Sequence, residues 1–422
     1  MDLPAKSLAT PKLVLDRERA ELQPYAPDYR DLYVERGEET YDDLLSEAES
    51  ACVQDRPFRW FYTGHTGAGK STELNRIVKS ERLLEGYLPV VYRVRDSLDI
   101  NDLDFTDLIL AIGQAVSQIA KSAEVKIDPE LAERIEKWGA ETQIETEQEL
   151  GGQAKGGIEW NLLFAKASAE IQAGGTKKTT IREKLRDQLT DFIALVDDLA
   201  TDIEAKKRRR VLVVLDTLDH VDHHPIREIF TKHWASISRT RVSLLTVIPL
   251  PMINEPDFMA RVEDNFSLLP NIRVHAKPGA DKLDREGFAF FKEVIKRLAE
   301  LDLFSDAALR DIFRLSGGML RDMIGIAGDA CKYADRENPD GKVSTAHVRR
   351  VLEDRMAYFH RLLLKKDYDV LRTVAANPHP LGFDGMGPLL HLKAILYFPN
   401  GRGWYALNPA VQAILDEAEP QG

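Results

Sequence analysis

The chain of 422 residues holds only two cysteines, Cys52 and Cys331. They are too few and too far apart for a disulfide framework or a four-ligand zinc site, which points to a reducing compartment. No apolar run approaches the roughly 18–20 residues that cross a bilayer, and the first residues, Met1-Asp2-Leu3-Pro4, carry an acid where a signal peptide carries bases. The expected setting is the cytoplasm, with no membrane partner. Basic residues are also in short supply: 57 Lys and Arg stand against 69 Asp and Glu, a net charge of −12. A body that coats nucleic acid needs the opposite balance, although a local basic patch stays open. What the chain has is length. At about 150 residues per domain it holds two to four domains, with room for a sizeable core.

The hydrophobic pattern alternates between short buried runs and helical periods. Tyr41, Leu44, Leu45 and Ala48 recur at helical spacing. Phe58 to Thr63 reads as a strand, Ser71 to Lys79 as a helix, Leu88 to Val94 as a second strand and Phe105 to Ala120 as a second helix. The strongest strand signal is Val211 to Leu215, β-branched and ending in acid, and Val242 to Ile248 is another, closed by Pro249 and Pro251. Strands that alternate with helices predict a parallel α/β sheet. The basic run Lys206-Lys207-Arg208-Arg209-Arg210 suits a solvated helix end, where cations favour the C-terminal dipole; a nucleic-acid patch is the alternative.

Composition divides the rest. Residues 1–32 read as an N-terminal arm and 33–275 as an α/β core, with a helical insertion at about 122–205. Within the insertion, Ile158 to Ala167 has partial period-2 character that allows a hairpin. The bland reading is an insertion packed on the sheet or exposed at a partner surface. Residues 276–354 read as a helical lid, interrupted at Ser316-Gly317-Gly318. Residues 355–422 read as helix, helix, strand, Pro399-Asn400-Gly401 turn, strand and helix, the order of a winged helix.

Gly64-His65-Thr66-Gly67-Ala68-Gly69-Lys70-Ser71, followed by Thr72, fits the pattern G-x-x-x-x-G-K-[ST]. Glycines let successive N–H groups curl toward phosphate oxygens, Lys70 reaches the β- and γ-phosphates, and the Ser71 hydroxyl suits Mg²⁺. The motif follows an expected strand and opens an expected helix, the context it requires. Such a site needs an acid near the metal, and Asp216 stands at the end of the strongest strand. Asp219, three residues on, is placed to polarise a water, and Asp222 is a further acid in the same loop. The bland alternative for either of the first two acids is a helix cap.

Together these residues resemble the AAA+-related P-loop ATPases of the STAND and origin-recognition type. The elements that carry the resemblance are the P-loop, Leu215-Asp216-Thr217-Leu218-Asp219, a later strand with Thr246 near its end, the helical lid and the terminal winged helix. The resemblance implies an α/β P-loop NTPase fold, ATP and Mg²⁺ as ligands, and catalytic roles for Lys70, Asp216, Asp219 and Arg321. It implies that Arg36, in Tyr33-Val34-Glu35-Arg36-Gly37, helps hold the base. Thr246 is the expected polar sensor, and Arg321 the lid arginine that reaches the γ-phosphate, against a surface arginine paired with Asp322 or Glu353. Thr217 replaces the glutamate that follows the aspartate in remodelling enzymes, which implies slow hydrolysis. Arg261 and Arg273 are candidate arginine fingers.

The expectation is therefore an ATP-dependent switch of low turnover that acts on a protein partner or on its own assembly, in prokaryotic signalling or defence. The rival is a DNA-binding regulator or loader that reads through the winged helix. There the recognition helix offers only His391 and Lys393, and the wing Arg402, which is thin for phosphate contacts. A third reading is a subunit that binds ATP without turning it over.

Overall fold

The computed structural model describes residues 3–9, 32–36, 39–142, 161–221, 223–262, 265–275, 282–380 and 385–418. The chain forms two compact units, one made of Tyr41–Thr63 with Arg76–Ser267 and the other of Met1–Thr40, Gly64–Asn75 and Leu268–Gly422.

The first unit is a five-stranded sheet flanked by helices. After helix α1 (Glu39–Val53) come β1 (Arg59–Thr63), α2 (Lys70–Val78), β2 (Tyr87–Arg93), α3 (Phe105–Ser122), α4 (Pro129–Glu141), α5 (Asn161–Ala173), α6 (Gly175–Asp187), α7 (Leu189–Lys207), β3 (Arg210–Asp216), β4 (Ser243–Val247) and β5 (Phe266–Leu268). The sheet order is β2-β3-β4-β1-β5, and β2 with β3, β3 with β4, and β4 with β1 all pair in parallel. Every residue of β3 is buried, as its unbroken apolar run requires of a strand covered on both faces. Val211, Val213 and Leu215 share one core with Leu108 and Ile112 of α3 and Val196 and Leu199 of α7.

The order places the functional end. Although β1 comes first in sequence, it lies between β4 and β5. The chain must pass β4 and β3 to reach β2, then steps back strand by strand. In open α/β sheets a ligand crevice forms outside the carboxyl ends of the strands where this direction reverses. Here the residue that follows the carboxyl end of β1 is Gly64.

The insertion is helical. Leu163, Phe164, Ala167 and Ile171 are buried on one face of α5, and this period makes the stretch a helix rather than the hairpin allowed over Ile158 to Ala167; residues 158–160 lie outside the described ones. Trp138, Phe164 and Phe192 join α4, α5 and α7 with ring centroids 4.8–5.8 Å apart. Arg182 of α6 donates Nε to buried Asp107 of α3 at 3.0 Å, which ties the insertion to the sheet layer. The basic run ends α7 with Arg208 in the left-handed C-cap conformation. Arg210 already belongs to β3 and is buried, with Nη1 donating to the Arg56 carbonyl at 2.7 Å.

The second unit carries α8 (Arg285–Leu298), α9 (Asp306–Leu315), α10 (Leu320–Glu337) and α11 (Thr345–Leu362), then α12 (Asp367–Ala376), α13 (Met386–His391), β6 (Ile395–Phe398), β7 (Trp404–Leu407) and α14 (Pro409–Ala418). Phe291, Ile295, Phe313, Met323 and Cys331 form its core. Burial pushes the Cys331 thiol up to about 12, so it acts as a small apolar side chain. The N-terminal segment docks here: Ala5 N–H donates to Leu298 O at 3.0 Å, and Ala5 O accepts from Glu300 N–H at 2.9 Å. β6 and β7 pair antiparallel, and Phe398 stacks on Trp404 at 4.3 Å.

Candidate phosphate-binding site

The P-loop turns sharply because its glycines permit it. Gly64, Gly67 and Gly69 have φ of +149°, +92° and +105°, values that L side chains rarely adopt. A Cβ at Gly64 would lie 2.6 Å from Leu269 O, so glycine is required there by space as well. Lys70 opens α2 and is 4% exposed. Its Nζ turns back into the loop and donates to Gly64 O at 2.8 Å and His65 O at 3.0 Å.

Three segments distant in sequence grip the same loop. Arg36 donates Nη1 to Ala68 O at 2.6 Å and Nη2 to Pro270 O at 3.0 Å. From α10, the backbone N–H of Arg321 donates to Gly67 O at 3.0 Å. From the C-terminal hairpin, the N–H of Tyr397 donates to Nε2 of His65 at 2.8 Å. A carbonyl and the following N–H lie in one peptide plane and point in opposite directions within it. Holding the Ala68 carbonyl from one side therefore aims the Gly69 N–H to the other, as a phosphate cradle needs. Tyr33 supports α2 by donating its hydroxyl to both carboxylate oxygens of buried Glu73 at 3.1 Å, and Arg297 fixes Tyr33 by donating to its carbonyl at 2.6 Å.

His65 is 3% exposed. Burial, then Lys70 and Lys393, push its pKa down to about 3, so the ring is neutral near pH 7. Since Nε2 accepts a hydrogen bond, the proton belongs on Nδ1, which is buried and finds no partner among the described residues. Thr66 and Gly67 form the turn of the loop, and half-buried Ser71 and Thr72 follow Lys70, with Thr72 N–H bonded to Gly69 O at 3.0 Å.

Between α9 and α10, Gly317 and Gly318 both have positive φ, +58° and +81°. A Cβ on Gly318 would meet Ile272 O at 1.9 Å, and the two backbones are bonded there, Ile272 N–H to Gly318 O at 2.8 Å. This turn delivers Arg321 to the P-loop: a Cβ on Gly67 would lie 3.0 Å from Arg321 Cβ. Arg321 is exposed. Asp322, one of the acids weighed as its surface partner, is instead buried and engaged by Arg355 at 3.5 Å and Lys393 at 3.4 Å.

In the sheet unit, Asp216 ends β3, 1% exposed. It accepts the Thr217 N–H on Oδ1 at 2.8 Å. Thr217 has φ of +70°, an outlier for a β-branched residue and a sign of local strain; its hydroxyl accepts from Arg95 N–H at 2.9 Å. Asp219 follows in a buried 3₁₀ turn, Leu218–His220, and Asp222 lies outside the described residues. Leu215, Thr246 and Phe61 are in register across β3, β4 and β1, so Asp216 and Thr246 share the carboxyl edge of the sheet. The Thr246 hydroxyl is buried with no partner among the described residues. Of the finger candidates, Arg273 is paired with Asp284 at 3.0 Å and Glu286 at 3.3 Å, while Arg261 is exposed.

Sequence reasoning missed the grips by the Arg321 backbone and Tyr397. Both are backbone donors, which leave no trace in residue type.

The fold is similar to several solved structures at low identity. The ORC1 protein of Aeropyrum pernix, solved in complex with DNA, is 13% identical, with 96% of each chain covered and a TM-score of 0.42. Cdc6p from Pyrobaculum aerophilum is 11% identical over 94% of this chain and 98% of that one, with a TM-score of 0.39. The RuvB Holliday junction branch migration motor of Thermotoga maritima is 12% identical over 90% and 95%, with a TM-score of 0.34. No protein-family model and no curated protein matches the sequence. The sheet order and the P-loop of this chain carry its fold: a P-loop NTPase sheet flanked by helices, followed by a helical C-terminal region.

Proposed function

We propose that the protein binds Mg-ATP at Gly64–Ser71 and hydrolyses it slowly, as a switch whose output goes to a protein partner or to its own assembly. The observation that supports this best is the loop itself. Three positive-φ glycines and a buried lysine directly follow β1 in the chain, an arrangement with backbone N–H groups and one cation to offer to phosphate.

In this reading Lys70 exchanges the Gly64 and His65 carbonyls for phosphate oxygens. Ser71 and Asp216 hold the metal, Asp216 through water. Among the described residues no three His, Cys, Asp or Glu side chains are grouped to hold a metal ion, so phosphate and water would complete the shell, as is usual for Mg²⁺. The ion would supply charge neutralisation along the phosphates. Asp219 orients the attacking water. Thr246 has an unspent buried hydroxyl to contribute, and Arg321 an exposed guanidinium. Arg36 acts on the loop through Ala68, besides the base contact expected of it. Thr217 in place of a glutamate fits low turnover.

A protein partner fits better than DNA. Of the three bases expected on a winged-helix reading surface, Lys393 is spent on Asp322. The resemblance to STAND proteins adds a setting in prokaryotic signalling or defence, in the cytoplasm. Among the described residues no helix is long and apolar enough to cross a membrane. Titration with Mg-ATP, followed by phosphate release in the parent and in Asp216→Asn, tests the proposal. Binding in both with release only in the parent supports it; no release in either assigns the chain to binding without turnover.

A further inference from the structure

The contact between His65 and Tyr397 has no place in phosphate binding. β6 belongs to a two-stranded sheet, so each strand keeps one edge unpaired. Tyr397 faces Tyr405 in the register, and the N–H of Tyr405 goes to Pro378 O at 2.8 Å. The pair is therefore one whose N–H groups point away from each other. The free N–H of Tyr397 is the one that reaches His65 Nε2 at 2.8 Å. The strand that carries it also presses on the lid turn, where a Cβ at Gly317 would lie 2.3 Å from Leu396 Cδ1. Just before that strand, Lys393 holds Asp322 at 3.4 Å. His65 thus has three engagements: its carbonyl accepts from Lys70 Nζ at 3.0 Å and from the Ala68 N–H at 3.0 Å, and its ring holds the hairpin.

We propose that His65 is a positioning residue that couples nucleotide binding at the P-loop to release of the C-terminal hairpin. This rests on the reading of the loop as an ATP site. A triphosphate that draws Lys70 off the Gly64 and His65 carbonyls leaves the His65 carbonyl on the Ala68 N–H alone, and with one of its two fastenings gone the His65 peptide can shift. The ring then leaves Tyr397. The buried Nδ1 without a partner weighs against the latched state and makes it releasable. Because coupling is reciprocal, a latch that nucleotide must open lowers nucleotide affinity.

Hydrogen exchange on the full chain tests this, read on a peptide containing the Tyr397 amide, with Mg-ATP binding measured on the same samples. Without nucleotide, His65→Ala should exchange at Tyr397 at least tenfold faster than the parent, and His65→Gln, which keeps an acceptor, should recover part of the protection. Mg-ATP should raise exchange in the parent toward the His65→Ala level and change little in that variant. His65→Ala should also bind Mg-ATP about fivefold more tightly, at the lower end of ordinary coupling; a residue that merely shaped the loop would weaken binding. Tyr397→Pro removes the donor on an edge where proline is tolerated, and should reproduce the tighter binding even if His65→Ala folds poorly. Mg-ATP that binds the parent without changing Tyr397 exchange overturns the coupling and leaves the ATP site intact. A parent that binds no Mg-ATP overturns both.

Discussion

The P-loop and the acid-ended strand β3 are held in place by opposite means. β3 is positioned by its own sequence: an unbroken apolar run, fully buried, in register with β2 and β4. The P-loop owes its shape to glycines and to donors from three remote segments, Arg36, the Arg321 backbone and the Tyr397 backbone. A strand buried in a core has one arrangement, whereas a loop held by a few hydrogen bonds has others within reach. Conformational response to a ligand belongs to the second kind of structure.

Paired substitutions should separate the two. Val213→Ala, in the middle of β3, should cost about 2–3 kcal/mol of stability by cavity formation while leaving Mg-ATP affinity of the folded protein within about twofold, read by chemical denaturation and titration. Gly64→Ala should do the reverse of that pattern on function. With φ at +149° and Leu269 O at 2.6 Å from the new Cβ, the loop must move, and Mg-ATP binding should fall by about 100-fold or more, against a stability loss of about 1–3 kcal/mol. If Val213→Ala abolished binding as well, the two regions would not be separable.

Arg36→Ala removes two charge-assisted hydrogen bonds to carbonyls. It should weaken Mg-ATP binding by about tenfold, equivalent to ~1.4 kcal/mol, more than a change at a comparable exposed arginine. The acid side of the stability curve gives a further contrast. An unfolded imidazole titrates near ~6.5, while burial, Lys70 and Lys393 push that of His65 down to about 3. Between those values the unfolded chain binds the extra proton. The contribution of His65 is thus complete above about pH 6.5 and is lost as the pH falls toward 3, with a slope of up to ~1.4 kcal/mol per pH unit. Urea titrations from pH 7 to 4 should show a shallower loss in His65→Gln. Smallest of all, Thr246→Val replaces an unpartnered buried hydroxyl by a group of the same shape. Stability should rise by about 1 kcal/mol or less, Mg-ATP affinity should hold, and phosphate release should slow.

Much of this was legible in the sequence, and the limit has a physical cause. β1, β3 and β4 were readable because burial on both faces writes a continuous apolar run, and the half-buried edge strand β2 because Leu88, Val90 and Val91 keep enough of one. The P-loop was readable because the φ values it needs select glycine. β5, three residues and only half-buried, left too short a pattern to see. Residues 161–167 looked strand-like until α5 was seen to bury Leu163, Phe164 and Ala167 on a helical face. In the site, Lys70 and Asp216 stood out by type and spacing. The fastening of the loop did not, since Tyr397 and the Arg321 backbone act through main-chain N–H groups that every residue but proline possesses.

The most direct test of the account is a calorimetric titration of Mg-ATP into the parent and Lys70→Ala. The account predicts saturable binding in the parent and affinity at least tenfold weaker in the variant, as loss of a charge-assisted phosphate contact implies. Equal affinity in the two proteins would contradict it.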